Sequence, residues 1–131
     1  MLYTYNESTQ AVAVDATVDL GTSLRCGNCA TLNGDAVQLN APGWYRFEAS
    51  VTGTTDAAGV FTVEARVDGV AVPGATASET VGVAGDLVSP SLAFVVRADG
   101  CCWNSRSLVT LVNVGDAGTV ENVAMTVTRV A

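Results

Sequence analysis

Residues 44–51 read Trp-Tyr-Arg-Phe-Glu-Ala-Ser-Val, and no other stretch narrows the fold as much. Tyr45, Phe47, Ala49 and Val51 alternate with Trp44, Arg46, Glu48 and Ser50. A period of two suits an extended strand with one buried face. The alternation returns downstream, where Phe61, Val63, Ala65 and Val67 oppose Thr62, Glu64 and Arg66. Asp68-Gly69 follows, and Asn33-Gly34 lies upstream. Both dipeptides predict two-residue hairpin turns, whose central positions favour positive φ. Pro73 cannot donate to a ladder, which predicts an edge or bulged strand over 70–81. Further β-type runs cover 10–20, 89–100, 106–115 and 121–131. Turn signals recur roughly every 10 to 15 residues, so the reading is all-β, with about eight strands in a two-sheet jelly-roll sandwich.

A chain of 131 residues is expected to form one domain. Nearly half of it is apolar, yet only 6% is aromatic, which makes for a thin core. There is no histidine. That removes Ser–His–Asp and Cys–His catalysis and every histidine-containing zinc site. The net charge of −7, with arginine as the only cationic side chain, argues against nucleic acid, because neutralising phosphates needs a basic face. No apolar run approaches the roughly 20 residues of a membrane span, so no membrane insertion is expected. The first ten residues lack a basic segment followed by an apolar one, so the chain is expected to be made in a cytoplasm. Residues 1–11 are expected as an N-terminal arm ahead of a domain over 12–131.

Two late runs, Leu-Ala-Phe-Val-Val (92–96) and Leu-Val-Thr-Leu-Val (108–112), are apolar on both faces. One face belongs in the sandwich core. The second needs cover that a chain without helical periodicity does not provide, so self-association is expected.

Three stretches together resemble the C1q/TNF-like jelly roll in its bacterial and phage branch. They are Pro42-Gly43-Trp44-Tyr45 leading into the long strand, the hairpin from Asp68 to Ala75, and the alternating strand from Asn122 to Val130. That branch includes C-terminal domains of collagen-like spore-surface proteins and phage head-decoration or fibre-tip proteins. The resemblance spans residues 12–131. It implies a ten-stranded sandwich assembled as a homotrimer about a three-fold axis. These residues hold no Gly-X-Y repeat, so a head without a stalk is expected. A head with a short arm is similar to phage decoration proteins that dock by such arms. This implies a structural or adhesive protein on the virion surface, held by a capsid or fibre protein through the arm, with host-surface glycan as an outward target. The alternatives are an extracellular or spore-surface module, or a carbohydrate-binding lectin domain. The motifs carrying the resemblance are packing and turn residues, which speak for fold more than for function.

The cysteines form two pairs, Cys26 with Cys29 and Cys101 with Cys102. Zinc is disfavoured because the second pair is vicinal and far along the chain, whereas zinc ribbons bring two spaced pairs close together. Redox catalysis is disfavoured because nothing after Cys29 reads as a helix that would activate a thiolate. Disulfide staples remain, paired crosswise between the two groups or linking subunits, each adding about 2–4 kcal/mol. Trp103, beside the vicinal pair, and Trp44, on the polar face of its strand, are the candidate ligand or docking contacts. Glu48 with Glu64, and Asp86, Asp99 and Asp116, are the weaker carboxylate candidates for a glycosidase pair or a calcium ion. No residue set supplies nucleophile, base and orienting group together, so the expectation is a protein that is not an enzyme, with no cofactor and no metal.

Overall fold

The computed structural model describes residues 1–98 and 107–130. Among these residues there are eleven strands and no helix: β1 (Leu2–Asn6), β2 (Gln10–Val12), β3 (Thr22–Arg25), β4 (Ala30–Asn33), β5 (Ala36–Leu39), β6 (Gly43–Thr55), β7 (Gly59–Val67), β8 (Val70–Val81), β9 (Ser91–Ala98), β10 (Ser107–Asn113) and β11 (Gly118–Arg129). The first sheet runs β3-β1-β11-β6-β9, with β2 also pairing β11, and the second runs β4-β5-β10-β7-β8. All pairings named are antiparallel. The chain is an all-β, two-sheet jelly-roll sandwich.

Alternation decides which side chains fill the space between the sheets. On β6, Tyr45, Phe47, Ala49 and Val51 are buried while Trp44, Arg46, Glu48 and Ser50 face outward. From β11 come Val123, Met125 and Val127; from β7 and β10 come Phe61, Val63, Val109 and Leu111. Phe47 and Phe94 stack inside this layer, centroids 4.9 Å apart and planes 7° apart. Each such ring contributes about 1.5–3 kcal/mol by leaving water.

Both hairpins form, one with its turn displaced. Asp68 and Gly69 take φ of 50° and 85°, and Val67 pairs with Val70. Upstream, Asn33 pairs with Ala36, so the turn residues are Gly34-Asp35 rather than Asn33-Gly34. Only Gly34 has positive φ there, at 61°, which is the demand of a turn that needs it at the first central position alone. Pro73 lies on edge strand β8, where the register with β7 shifts between Glu64 and Arg66.

The expected N-terminal arm over 1–11 is corrected. Residues Leu2–Asn6 are a strand between β3 and β11, with Leu2 and Thr4 fully buried. The reason is a short alternation, Leu2 and Thr4 inward with Tyr3 and Tyr5 outward, that completes the first sheet. The placement of the ends is corrected with it. Met1 exchanges backbone hydrogen bonds with Cys26, and Arg129 pairs with Tyr45 close to where Ala98 pairs with Gly43. Both ends of the described chain therefore lie at the end of the sandwich where Ala98 and Ser107 stop.

The second apolar face of 108–112 finds cover within the chain. Thr17 bridges to Val112, Val18 N–H donates to Leu111 O at 2.8 Å, and Val112 is buried. Asn113 locks this cover in place. It is fully buried, and its Nδ2 donates to Val12 O (3.2 Å) and Asp116 O (3.1 Å), while its Oδ1 accepts from Gly115 N–H (3.1 Å). Asn113→Ala strands these groups and is expected to cost about 2–3 kcal/mol in urea denaturation. Thr4 is the opposite case: its Oγ1 is buried with no hydrogen-bond partner among the described residues. Thr4→Val keeps the shape, drops the orphaned hydroxyl, and is expected to gain about 1 kcal/mol in the same assay.

Candidate functional site

The outward faces of the two sheets differ in chemistry. The second sheet presents amides and hydroxyls bonded to one another: Asn33 Nδ2 donates to Gln38 Oε1 (3.1 Å), Gln38 Nε2 to Asn40 Oδ1 (2.6 Å) and Asn40 Nδ2 to Thr31 Oγ1 (3.0 Å). Glu64 and Arg66 pair on the same face at 3.0 Å. The first sheet presents small residues flanked by large ones. Its centre is a shallow groove of about 420 Å³ floored by Ser50, Ser91, Ala93, Ala124 and Thr126. Glu48 borders the groove and pairs with Arg46 at 2.5 Å.

On one flank of this groove stands Trp44, 47% exposed, with the Arg97 guanidinium 5.9 Å from its ring centroid. Antiparallel pairing of Trp44 with Arg97, and of Arg46 with Val95, holds the group together. Val95 is half exposed, and beside it a cleft of about 350 Å³ opens between the two sheets, lined largely by Val70, Val72, Pro73 and Val96. β9 is thus an eight-residue strand at the end of the first sheet's order, carrying Ala93, Val95 and Arg97 outward. On the other flank, Tyr3 and Tyr5 project from β1, and a cleft of about 270 Å³ lies between them and Glu7, Asn122 and Ala124. Sequence reasoning missed this tyrosine pair because it placed residues 1–11 in an arm. The signal was there in Leu2-Tyr3-Thr4-Tyr5, but four residues of alternation are too few to separate a strand from a tail.

Cys26 is exposed and Cys29 half-buried, and the two are not bonded to one another. Cys101, Cys102 and Trp103 lie outside the described residues, and so does the crosswise pairing expected of them. Cys29 O accepts from Asn40 N–H (2.8 Å) and from the Tyr45 hydroxyl (3.2 Å), which also donates to Ala41 O at 2.7 Å. Burial, then the nearby Cys29 thiol, push the Tyr45 hydroxyl's pKa above its ordinary value.

The carboxylate candidates do not converge. Glu48 faces outward from the first sheet and Glu64 from the second, so they cannot flank one bond. Asp116 Oδ2 accepts from Val60 N–H at 2.8 Å, while Asp99 lies outside the described residues. An acidic pair that sequence did not suggest is Asp19 with Asp35. Desolvation first, then the Asp19 charge and a hydrogen bond to its carboxyl, raise the Asp35 pKa. Among the described residues no three of Cys, Asp and Glu gather as a metal-binding cluster.

Solved structures share this arrangement of strands. The Eiger TNF of S. frugiperda superposes with a TM-score of 0.73 at 10% identity, over 99% of this chain and 90% of that one. The fold is a C1q/TNF-like jelly roll. Murine APRIL matches this jelly roll at TM-score 0.61 and 11% identity, over 94% of this chain and 97% of its own. PRD1 vertex protein P5 matches at 0.53 and 12%, over 95% and 93%. No family model matches the sequence, and no curated protein does. At these identities the likeness establishes the jelly roll and carries no residue roles.

Tyr45→Phe removes the hydroxyl that ties the cysteine-bearing turn to β6. It is expected to cost about 1–2 kcal/mol and to speed alkylation of Cys29, read by mass spectrometry of timed iodoacetamide quenches.

Proposed function

We propose that the protein is a non-enzymatic, self-associating display module: a homotrimer of jelly rolls on the surface of a virus particle. The observation that carries the self-association is the β9 edge. It is eight residues long with no proline, it turns Ala93 and Val95 outward beside the cleft lined by Val70 and Val72, and its one charged side chain, Arg97, lies over the Trp44 ring. Regular apolar edges of this kind pair with or pack on another chain unless something blunts them. The opposite edge strand of the sheet, β3, has only four residues. A second copy of the chain is the simplest cover. An edge that packs on a different surface of its neighbour makes a heterologous contact, which closes into a ring when the rotation permits.

Placement on a particle is supported more distantly, by the shared fold of PRD1 vertex protein P5. Both termini leave from the end that carries Cys26 and Cys29, so that end is the attachment side in this proposal. The opposite end, with the turns between β6 and β7 and between β10 and β11, faces outward. The missing histidine and the scattered carboxylates are why no reaction is assigned. In this reading the trimer reinforces the shell or makes three weak contacts at once, with avidity from their high effective concentration.

The test is native mass spectrometry with light scattering. Wild type is expected as three 13.4 kDa chains and Val95→Glu as a single folded chain, since residue 95 points away from the core. A monomeric wild type, or a Val95→Glu trimer as stable as wild type, would overturn the proposal.

A further inference from the structure

We propose that the turn Cys26-Gly27-Asn28-Cys29 is a binding site for a single soft metal ion, copper(I). The turn crosses from the first sheet to the second, between the end of β3 and the start of β4, and its backbone is tied at both ends. Cys26 N–H donates to Met1 O at 2.9 Å, which continues the pairing of β1 with β3 beyond Leu2 and Arg25. On the far side, Cys29 O accepts from Asn40 N–H at 2.8 Å and from the Tyr45 hydroxyl at 3.2 Å. Asn28 O accepts from Asn40 Nδ2 at 3.0 Å. Between these ties the apex is open: Gly27 takes φ of 88°, and a Cβ there would meet nothing within 4 Å. Cys26 is exposed, and Cys29 is half-buried against the core, so an ion gripped by both is reached from solvent and backed by protein. The turn lies past the end of β3, at the end of the sandwich assigned above to attachment. The site therefore does not draw on the outward face of the first sheet, where the proposed subunit contact falls.

Two thiols with two residues between them can grip one ion from a tight turn. The surroundings select which ion. A structural zinc takes four nitrogen or sulfur ligands, and the chain has no histidine. Among the described residues no third cysteine or carboxylate gathers with Cys26 and Cys29. Calcium and magnesium take oxygen ligands in larger number. Copper(I) is the ion that soft sulfur donors favour, and two thiolates are enough to hold it. Met1 adds a thioether beside them. It pairs directly with Cys26, and opposed residues of an antiparallel pair carry their side chains to the same side. Both residues line one cleft of about 230 Å³. Binding balances as two thiols and one copper(I) ion giving a copper dithiolate and two protons, with no change of oxidation state. Affinity therefore falls as the solution is acidified. The net charge of −7 favours cations in general, and the sulfur donors supply the selectivity.

The experiment is an anaerobic titration of the fully reduced protein with copper(I) against the chelator bathocuproine disulfonate, with native mass spectrometry counting ions per chain. It is run on wild type and on Cys101→Ser/Cys102→Ser, in which Cys26 and Cys29 are the remaining thiols. The double variant is expected to take one copper(I) per chain, to bind it more weakly at about pH 5 than at about pH 7, and to hold zinc about a hundredfold less tightly. In that background Cys26→Ser and Cys29→Ser are each expected to weaken copper binding about a hundredfold. Copper is also expected to raise the melting temperature of the double variant and not that of either further serine variant. Melting curves of the metal-free proteins confirm that all are folded. Loss of copper binding from Cys101→Ser/Cys102→Ser, undiminished affinity in the folded Cys26→Ser or Cys29→Ser proteins, or zinc held as tightly as copper would overturn the proposal. So would one ion shared between chains, which would assign the thiols to a contact between subunits.

Discussion

The ladder between β6 and β11 is the pairing on which the rest of the molecule depends. It runs from Gly118 opposite Thr55 to Arg129 opposite Tyr45, with one register shift near Val120. Because side chains alternate along each strand, this single register sends Phe47, Val51, Val123 and Val127 inward together. A slip of one residue would turn that set to water and bring Glu48 and Arg46 into the core. The same ladder spaces the two flanks of the sheet, since β1 adds to β11 on one side and β9 adds to β6 on the other. Tyr3 and Val95 therefore share one face at a fixed separation.

Small residues between those flanks matter as much as the large ones. Ser50, Ala93, Ala124 and Thr126 keep the middle of the face low, so the aromatic and aliphatic groups at its margins stand clear of it. The outer face of the second sheet has the contrary character, with its amides committed to one another and Arg66 held by Glu64. One face pairs many of its polar groups with one another, and the other is low in the middle with exposed apolar groups at its margins. That difference is why the proposed subunit contact falls on the first sheet. It also fits a chain whose acidity keeps a partly apolar surface soluble.

Much of the interior was legible in advance. The inward sets of β6 and β7, the Asp68-Gly69 turn, the edge position of Pro73 and the two-sheet jelly roll follow from alternation and turn chemistry, which act over a few residues. Errors gathered where long-range pairing decides. Leu2–Asn6 read as a tail because its alternation is short, yet two neighbouring strands recruit it. Val112 read as needing a partner chain, yet residues 13–20 fold over it. The Asn33-Gly34 turn moved by one residue because cross-strand pairing of Asn33 with Ala36 set the register.

The sequence alone therefore determined the class of the protein: an all-β sandwich with a valine- and alanine-rich core, an acidic surface and no histidine for general-base chemistry. Those are properties of composition and of a period-two pattern that survives in any local window. Only the tertiary structure decided which outward residues became neighbours. It put Glu48 and Glu64 on opposite faces, Trp44 beside Arg97, Tyr3 and Tyr5 beside Asn122, and both termini at the cysteine-bearing end. The physical reason is that alternation specifies the face a side chain takes, whereas strand order and register specify its company, and both are set by pairings between segments up to the whole chain length apart.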